Sequence, residues 1–249
     1  MLVDLPLGWT LNSYETVPST MDEARLHLQD KQVILARSQT QGRGRHGRKW
    51  ISDSGNLFCS LIIRPPKPQQ NWPELTFVTT IAVGETIDCF LPNCDFLTYK
   101  WPNDILLKGK KVSGILLEVC EDFMIIGIGI NLTSCPEEGN YPPTCLANFQ
   151  KIVPTPQEML SILVSKFQKL GDVWQDRGFT YIRETWLKRA ALKDQKINLK
   201  SLHKTHKGNI QGLFQGIDCQ GNLVLKLLNG EVKSYSTGDV SMALEEDLN

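Results

Sequence analysis

The stretch LTYKWPNDILLKGKKVSGILLEVCEDFMIIGIGIN, residues 97–131, decides the fold. Four apolar runs follow one another: Leu97 to Lys100, Asp104 to Leu107, Val112 to Val119 and Phe123 to Ile130. Their lengths and the turn residues between them predict successive strands. Pro102 ends the first run, and Asn103-Asp104 suit a turn. Lys108 to Lys111 supplies a tight turn, so the second and third runs are expected to form a hairpin. In that hairpin Lys100, Asp104 and Lys111 come near one another. Gly114 within an apolar strand, and Gly127 and Gly129 alternating with isoleucine, mark places where another group approaches the backbone closely.

Outward from this meander, Leu75 to Cys89 has helical periodicity, with Leu75, Val78, Ala82 and Cys89 on one face. Val33 to Arg37 and Leu57 to Arg64 read as further strands. Ser19-Thr20-Met21-Asp22-Glu23 opens a helix, with Thr20 and Glu23 spaced as a capping box. Glu158 to Trp174 is amphipathic, and a second helix is expected from Tyr181 to Leu192. Beyond it the pattern changes to short strands at Ile197 to Leu199, Ile210 to Ile217, Leu223 to Leu228 and Val232 to Tyr235. Asn229-Gly230 between the last two is a strong hairpin signal. The expected class is α+β: a mixed sheet with flanking helices over residues 1–192, then a small β-barrel over residues 193–249.

Composition narrows the function. The 249 residues carry 27 Lys plus Arg against 27 Asp plus Glu, so formal net charge is zero and any cationic site is local. The N-terminus lacks a basic segment followed by a long apolar run, and no apolar stretch is long enough to span a bilayer. Seven scattered cysteines without a C-x-x-C pair read as reduced thiols of a cytoplasmic protein. His27, His203 and His206 have no partners at metal-ligand spacing and read as solvated, the last two in a polar turn. No metal held by protein side chains is expected. Trp72, Trp174 and Trp186 read as packing residues.

The most unusual segment is Gly42-Arg43-Gly44-Arg45-His46-Gly47-Arg48-Lys49-Trp50. Its glycines let backbone amides surround an anion, and guanidinium forks suit phosphate or carboxylate. So much like charge predicts a mobile loop that orders over an anionic ligand. Taken alone, the segment is equally compatible with a solvated basic loop or an RNA contact.

Together these segments resemble the biotin protein ligases. Gly42-Arg43-Gly44-Arg45-x-Gly47-Arg48-x-Trp50, Lys100-Trp101-Pro102-Asn103-Asp104, Lys111-x-x-Gly114 and Gly127-x-Gly129-Ile130-Asn131 match that family's motifs in order. Ser19-Thr20 and Gln39 match as well. The resemblance implies a catalytic domain akin to class II aminoacyl-tRNA synthetases and lipoate ligases, with a C-terminal SH3-like barrel. It implies a biotin pocket of Ser19, Thr20, Met21, Gln39, Arg43, Gly44, Arg45, Lys111, Gly114 and Gly127. Met21 departs from the family's usual asparagine or glutamine. Arg45, Arg48, Trp50, Lys100 and Asn131 are implied on the ATP and adenylate side.

The implied reaction joins biotin to AMP at the expense of ATP, with Mg2+ on the phosphates. Biotin then passes to a lysine of the biotin carboxyl carrier protein of acetyl-CoA carboxylase. Lys111, Arg45 and Asp104 are the expected catalytic groups. Asp104 suits either orienting Lys111 or taking a proton from the incoming amine. The family includes monomers and dimers, so a homodimer is allowed; no nucleic-acid or membrane partner is expected. A lipoate ligase is disfavoured by the Gly-Arg-Gly-Arg loop. A ligase that doubles as a repressor is disfavoured because 18 residues before Ser19 are too few for a helix-turn-helix.

Overall fold

The computed structural model describes residues 3–91, 95–139, 141–203 and 206–242, without the side chains of residues 201–207. Its first sheet contains β1 (Thr10–Val17), β2 (Gln32–Gln39), β3 (Leu57–Ile63), β4 (Leu97–Lys100), β5 (Asp104–Leu107), β6 (Lys110–Cys120) and β7 (Phe123–Ile130). The spatial order is β1-β2-β3-β7-β6-β5-β4. Only β1 and β2 run parallel in this sheet, so it is mixed, as the sequence predicts.

The strands at the centre are apolar on both faces because both faces are covered. Val33, Leu35, Leu61, Ile126 and Ile128 join the main core with α2 (Leu75–Phe90) and α3 (Pro156–Leu187). The alternate residues Ile34, Ile62 and Ile125 pack with Met21 and Ala24 of α1 (Thr20–Leu26). On the α1 side the next residues of β7 are therefore Gly127 and Gly129. Gly127 pairs with Leu116 and Gly129 with Gly114 of β6. The sheet face is thinned there to bare backbone, and a trough results. The β5–β6 turn is tight because Lys108 and Gly109 both have positive φ, 46° and 72°, as a two-residue hairpin turn requires.

Ser19, not Thr20, caps α1, its side chain accepting from the Met21 N–H at 3.3 Å. The Thr20 hydroxyl donates instead to Gln39 Oε1, and Glu23 pairs with His27 at 3.1 Å. His27 is therefore not simply solvated: it ends the helix and also meets the Tyr14 hydroxyl. The two expected C-terminal helices form one element with a break at Gly178 (φ 72°). That element ends at Leu187 rather than Leu192, because the following backbone turns to the sheet. Arg189 O accepts from the Tyr99 N–H, and the Ala191 N–H donates to Tyr99 O, each at 2.7 Å. Trp72, Trp174 and Trp186 are buried in the core.

The second sheet is antiparallel throughout. It comprises β8 (Lys196–His203), β9 (His206–Ile217), β10 (Leu223–Leu227), β11 (Val232–Tyr235) and β12 (Asp239–Met242), in the order β11-β10-β9-β8-β12. The sequence reading lacks β12, which is short and half-exposed, and β1, an exposed edge strand. His203 and His206 end paired strands; their side chains, the intervening residues 204–205, and Cys94 lie outside the described residues. Among the described residues no helix is long and apolar enough to cross a membrane, and no three His, Cys, Asp or Glu cluster as metal ligands.

Candidate functional site

A cavity of about 680 Å³ lies over the glycine trough, within the range of small-molecule sites. Every residue expected at the site lines it: Ser19, Thr20, Met21, Gln39, Arg43, Gly44, Arg45, Arg48, Trp50, Lys100, Asp104, Lys111, Gly114, Gly127 and Asn131. They come from α1 and its cap, the end of β2, the basic loop, the facing ends of β4 and β5, β6, and β7 with the residue that follows it.

At one end polar groups are fixed by one another. Gln39 Oε1 accepts from the Thr20 N–H at 2.8 Å and from its hydroxyl at 3.2 Å. Gln39 Nε2 donates to Ser52 Oγ at 2.9 Å, and Ser60 Oγ donates to Thr20 Oγ1 at 2.8 Å. Met21 closes this end. A Cβ placed on Gly127 would sit 2.6 Å from the Met21 sulfur.

In the middle stand the hairpin charges. Asp104 receives Lys111 Nζ on Oδ1 at 2.6 Å and Lys100 Nζ on Oδ2 at 3.2 Å. The Lys100, Asp104 and Lys111 side chains are 8%, 11% and 25% exposed. Burial works to raise the Asp104 carboxyl, but the two ammoniums outweigh it and hold the group below the ordinary aspartate range. Lys111 Nζ also lies 5.4 Å from the centre of the Trp50 ring. That indole rests on the trough: Cβ atoms on Gly129 and Gly114 would approach it to 2.5 and 2.9 Å.

Asp104→Asn is expected to leave two part-buried ammoniums without an anion, at a cost of about 3 kcal/mol. A urea titration at neutral pH measures it. The sign in acid follows from the lowered carboxyl. Its stabilisation is present above the unfolded aspartate value, near 4, and is lost as pH falls through the lower native value. The parent should therefore lose stability in acid more steeply than the variant. Parallel acid profiles would contradict this assignment.

The basic loop closes over the cavity. Arg43 and Lys49 form an antiparallel bridge, with the Gly44 N–H donating to Arg48 O at 2.7 Å. Arg48 pairs with Asp239 of β12. Among the described residues Arg45 donates only to neutral oxygens, Asn103 Oδ1 at 3.3 Å and Gly238 O at 3.5 Å. Among the described residues it has no ion-pair partner. Burial pushes its guanidinium below the ordinary arginine value, and outweighs the longer-range attraction of Asp239 and Asp104.

Two family models match this chain. One is described as the Biotin/lipoate A/B protein ligase family and covers residues 14–131; the other, the Biotin protein ligase C terminal domain, covers residues 204–242. A biotin--[acetyl-CoA-carboxylase] ligase of Paracoccus denitrificans is 34% identical over 203 residues, 78% of this chain and 83% of that protein. The chain belongs to the biotin protein ligase family. A solved biotin protein ligase of Aquifex aeolicus, in complex with biotin and ATP, has a TM-score of 0.81 at 27% identity, covering 93% of this chain and 97% of that one. A bifunctional ligase/repressor of Bacillus subtilis is 34% identical over 215 residues; the match spans 82% of this chain and 64% of that protein.

For a biotin protein ligase, the sequence motifs leave part of the cavity wall unannounced. Tyr141, Glu138 and Pro143 line it from the segment after β7. Tyr141 lies 4.8 Å (ring centre) from Lys100 Nζ. That segment is strapped to the site, since the Lys111 N–H donates to Pro142 O at 2.7 Å and Asn131 Nδ2 to Thr144 O at 2.9 Å. Lys200, Asp239, Val240 and Ser241 line the cavity from the second sheet. No local motif marks these residues, which arrive through tertiary packing.

Proposed function

We propose that this chain is an ATP-dependent biotin protein ligase that makes biotinyl-5′-AMP and passes biotin to a lysine of the biotin carboxyl carrier protein of acetyl-CoA carboxylase. The observation that carries this reading is the meeting of the Lys111–Asp104 hairpin and Arg45, without an ion pair among the described residues, in one cavity beside the Ser19–Gln39 network. Biotin lies along the trough, with its ring system near Ser19, Thr20 and Gln39 and its carboxylate toward Lys111. ATP enters at the Trp50 and Asn131 end.

A carboxylate oxygen attacks the α-phosphorus, a P–O bond to pyrophosphate breaks, and the mixed anhydride forms. Two anions must approach, and fixed cations offset their repulsion without reorganising. Lys111 supplies that charge at the carboxylate, and Arg45 holds the phosphoryl group of the new anhydride. Both Asp104 oxygens are already engaged by ammoniums, which favours the orienting role over proton acceptance. In the second step the carrier lysine, as a free amine, attacks the acyl carbon, AMP leaves with the C–O electrons, and the proton shed by the nitrogen passes to solvent.

Mg2+ fits as a companion of the ATP phosphates, neutralising their charge when bound. Asp104 and Asp239 are committed to cations, and Mg2+ bound through phosphates and water needs few protein oxygens. Residues 1–192 would form the catalytic domain, related to class II synthetases, and residues 193–249 an SH3-like barrel closing the nucleotide side. The cytoplasm, where carrier and ATP meet, is the proposed compartment.

The direct test is incubation of the chain with biotin, ATP, Mg2+ and a carrier domain, read by peptide mass spectrometry. One biotinylated lysine is expected; an unmodified carrier would refute the reading. Gly129→Ala tests the nucleotide end. Its methyl displaces the Trp50 indole from the trough, so KM for ATP should rise about tenfold, the equivalent of roughly 1.4 kcal/mol within the usual cost of overpacking. KM for biotin should move much less. Equal changes in both would place Trp50 elsewhere in the reaction.

A further inference from the structure

Arg43 sits in the same glycine-spaced loop as Arg45, yet its charge is spent on protein carboxylates. Its guanidinium donates from Nη1 to Asp22 Oδ2 of α1 at 2.7 Å. It also donates from Nη2 to Glu118 Oε2 of β6 at 3.1 Å and from Nε to Glu118 Oε1 at 3.4 Å. Glu118 Oε2 further accepts from Arg25 Nη2 of α1 at 2.6 Å. Two guanidiniums and two carboxylates thus form a neutral cluster joining the loop, α1 and β6. The fork-to-fork arrangement on Glu118 is the geometry that makes an arginine pair directional. Glu118 and Arg43 are each about one-quarter exposed, 24% and 27%, so water screens them less than a surface pair. Burial acts to raise the Glu118 carboxyl, and its arginine partners outweigh burial and hold it below the ordinary range.

We propose that Glu118 and Asp22 are positioning residues that hold the basic loop shut through Arg43, and so govern how long the mixed anhydride stays in the cavity. The proposal rests on the ligase reading and divides the labour among the loop's cations. Arg45, which makes no ion pair among the described residues, addresses the ligand. Arg43 clamps the loop at the α1 end, opposite the Arg48–Asp239 pair that clamps it to β12. Substrate-lining Thr20 and Met21 lie on the helix that carries Asp22 and Arg25, so the clamp joins the loop to the wall of the trough itself.

The test compares the parent with Asp22→Asn, Glu118→Gln, Arg43→Gln and the Arg43→Gln/Glu118→Gln double variant. Each is charged with labelled biotin and ATP and passed through a desalting column. The adenylate retained on the protein is timed, and so is biotin appearing on lysines of serum albumin. Escape should quicken about tenfold in Glu118→Gln and severalfold in Asp22→Asn, while biotin-dependent pyrophosphate exchange falls no more than threefold. Glu118→Gln added to Arg43→Gln should give no further escape, because the clamp is already broken; general loosening would add. Asp22 is half-exposed, so its variant keeps the test available should Glu118→Gln fold poorly. Retention equal to the parent's in Asp22→Asn and in any folded Glu118 variant overturns the proposal alone. Absence of exchange in the unaltered chain overturns the ligase reading, and the clamp's function with it.

Discussion

Lys111→Ala should reduce biotin-dependent exchange of pyrophosphate into ATP by about 10²–10³, the usual loss when one preorganised electrostatic group is removed. Bringing a carboxylate to a phosphate oxygen costs about 4 kcal/mol of repulsion at 4 Å for an effective dielectric near 20. The Lys111 ammonium is fixed for that purpose: Asp104 holds it at 2.6 Å, and its backbone is strapped by Pro142 and Thr144. Folding is expected to survive, since Asp104 keeps its pair with Lys100; a circular dichroism melt checks this. Exchange within fivefold of the parent, in a folded variant, would remove Lys111 from the chemistry.

Arg45→Gly should separate making the adenylate from keeping it. Among the described residues the Arg45 side chain makes no ion pair and donates only to Asn103 and Gly238. Its removal leaves the loop's two ion-paired anchors, Arg43 and Arg48, in place. Charge-assisted hydrogen bonds contribute about 1.5–3 kcal/mol each, so losing one should speed escape of the intermediate roughly 10- to 100-fold. The freed adenylate acylates whatever amine it meets. Mass spectrometry of a mixture of carrier and bystander protein should find biotin on many lysines. Label confined to the carrier lysine would show that Arg45 does not retain the intermediate.

The sequence reveals the chemistry of the site more readily than its closure. The apolar runs of β2, β3, β5 and β7 are legible because both faces are buried, and the glycines of β6 and β7 mark the trough. β1 is obscure because an edge strand facing water carries Asn12, Ser13 and Glu15. β12 is obscure because a four-residue strand has too little pattern. The basic loop is conspicuous, but nothing local tells Arg43 from Arg45. Their different fates depend on Asp22, Glu118 and Asp239, separated by up to 217 positions and brought together by the fold. Thr20 presents the same difficulty: spacing alone suggests a cap, while the tertiary structure commits its hydroxyl to Gln39.

The most direct measurement is isotope exchange between pyrophosphate and ATP with the purified, unaltered chain, run with biotin, with lipoate and with neither. Exchange is expected with biotin and Mg2+-ATP, and background in the other two reactions. Exchange driven by lipoate, or none with biotin, would mean that the cavity does not join biotin to AMP.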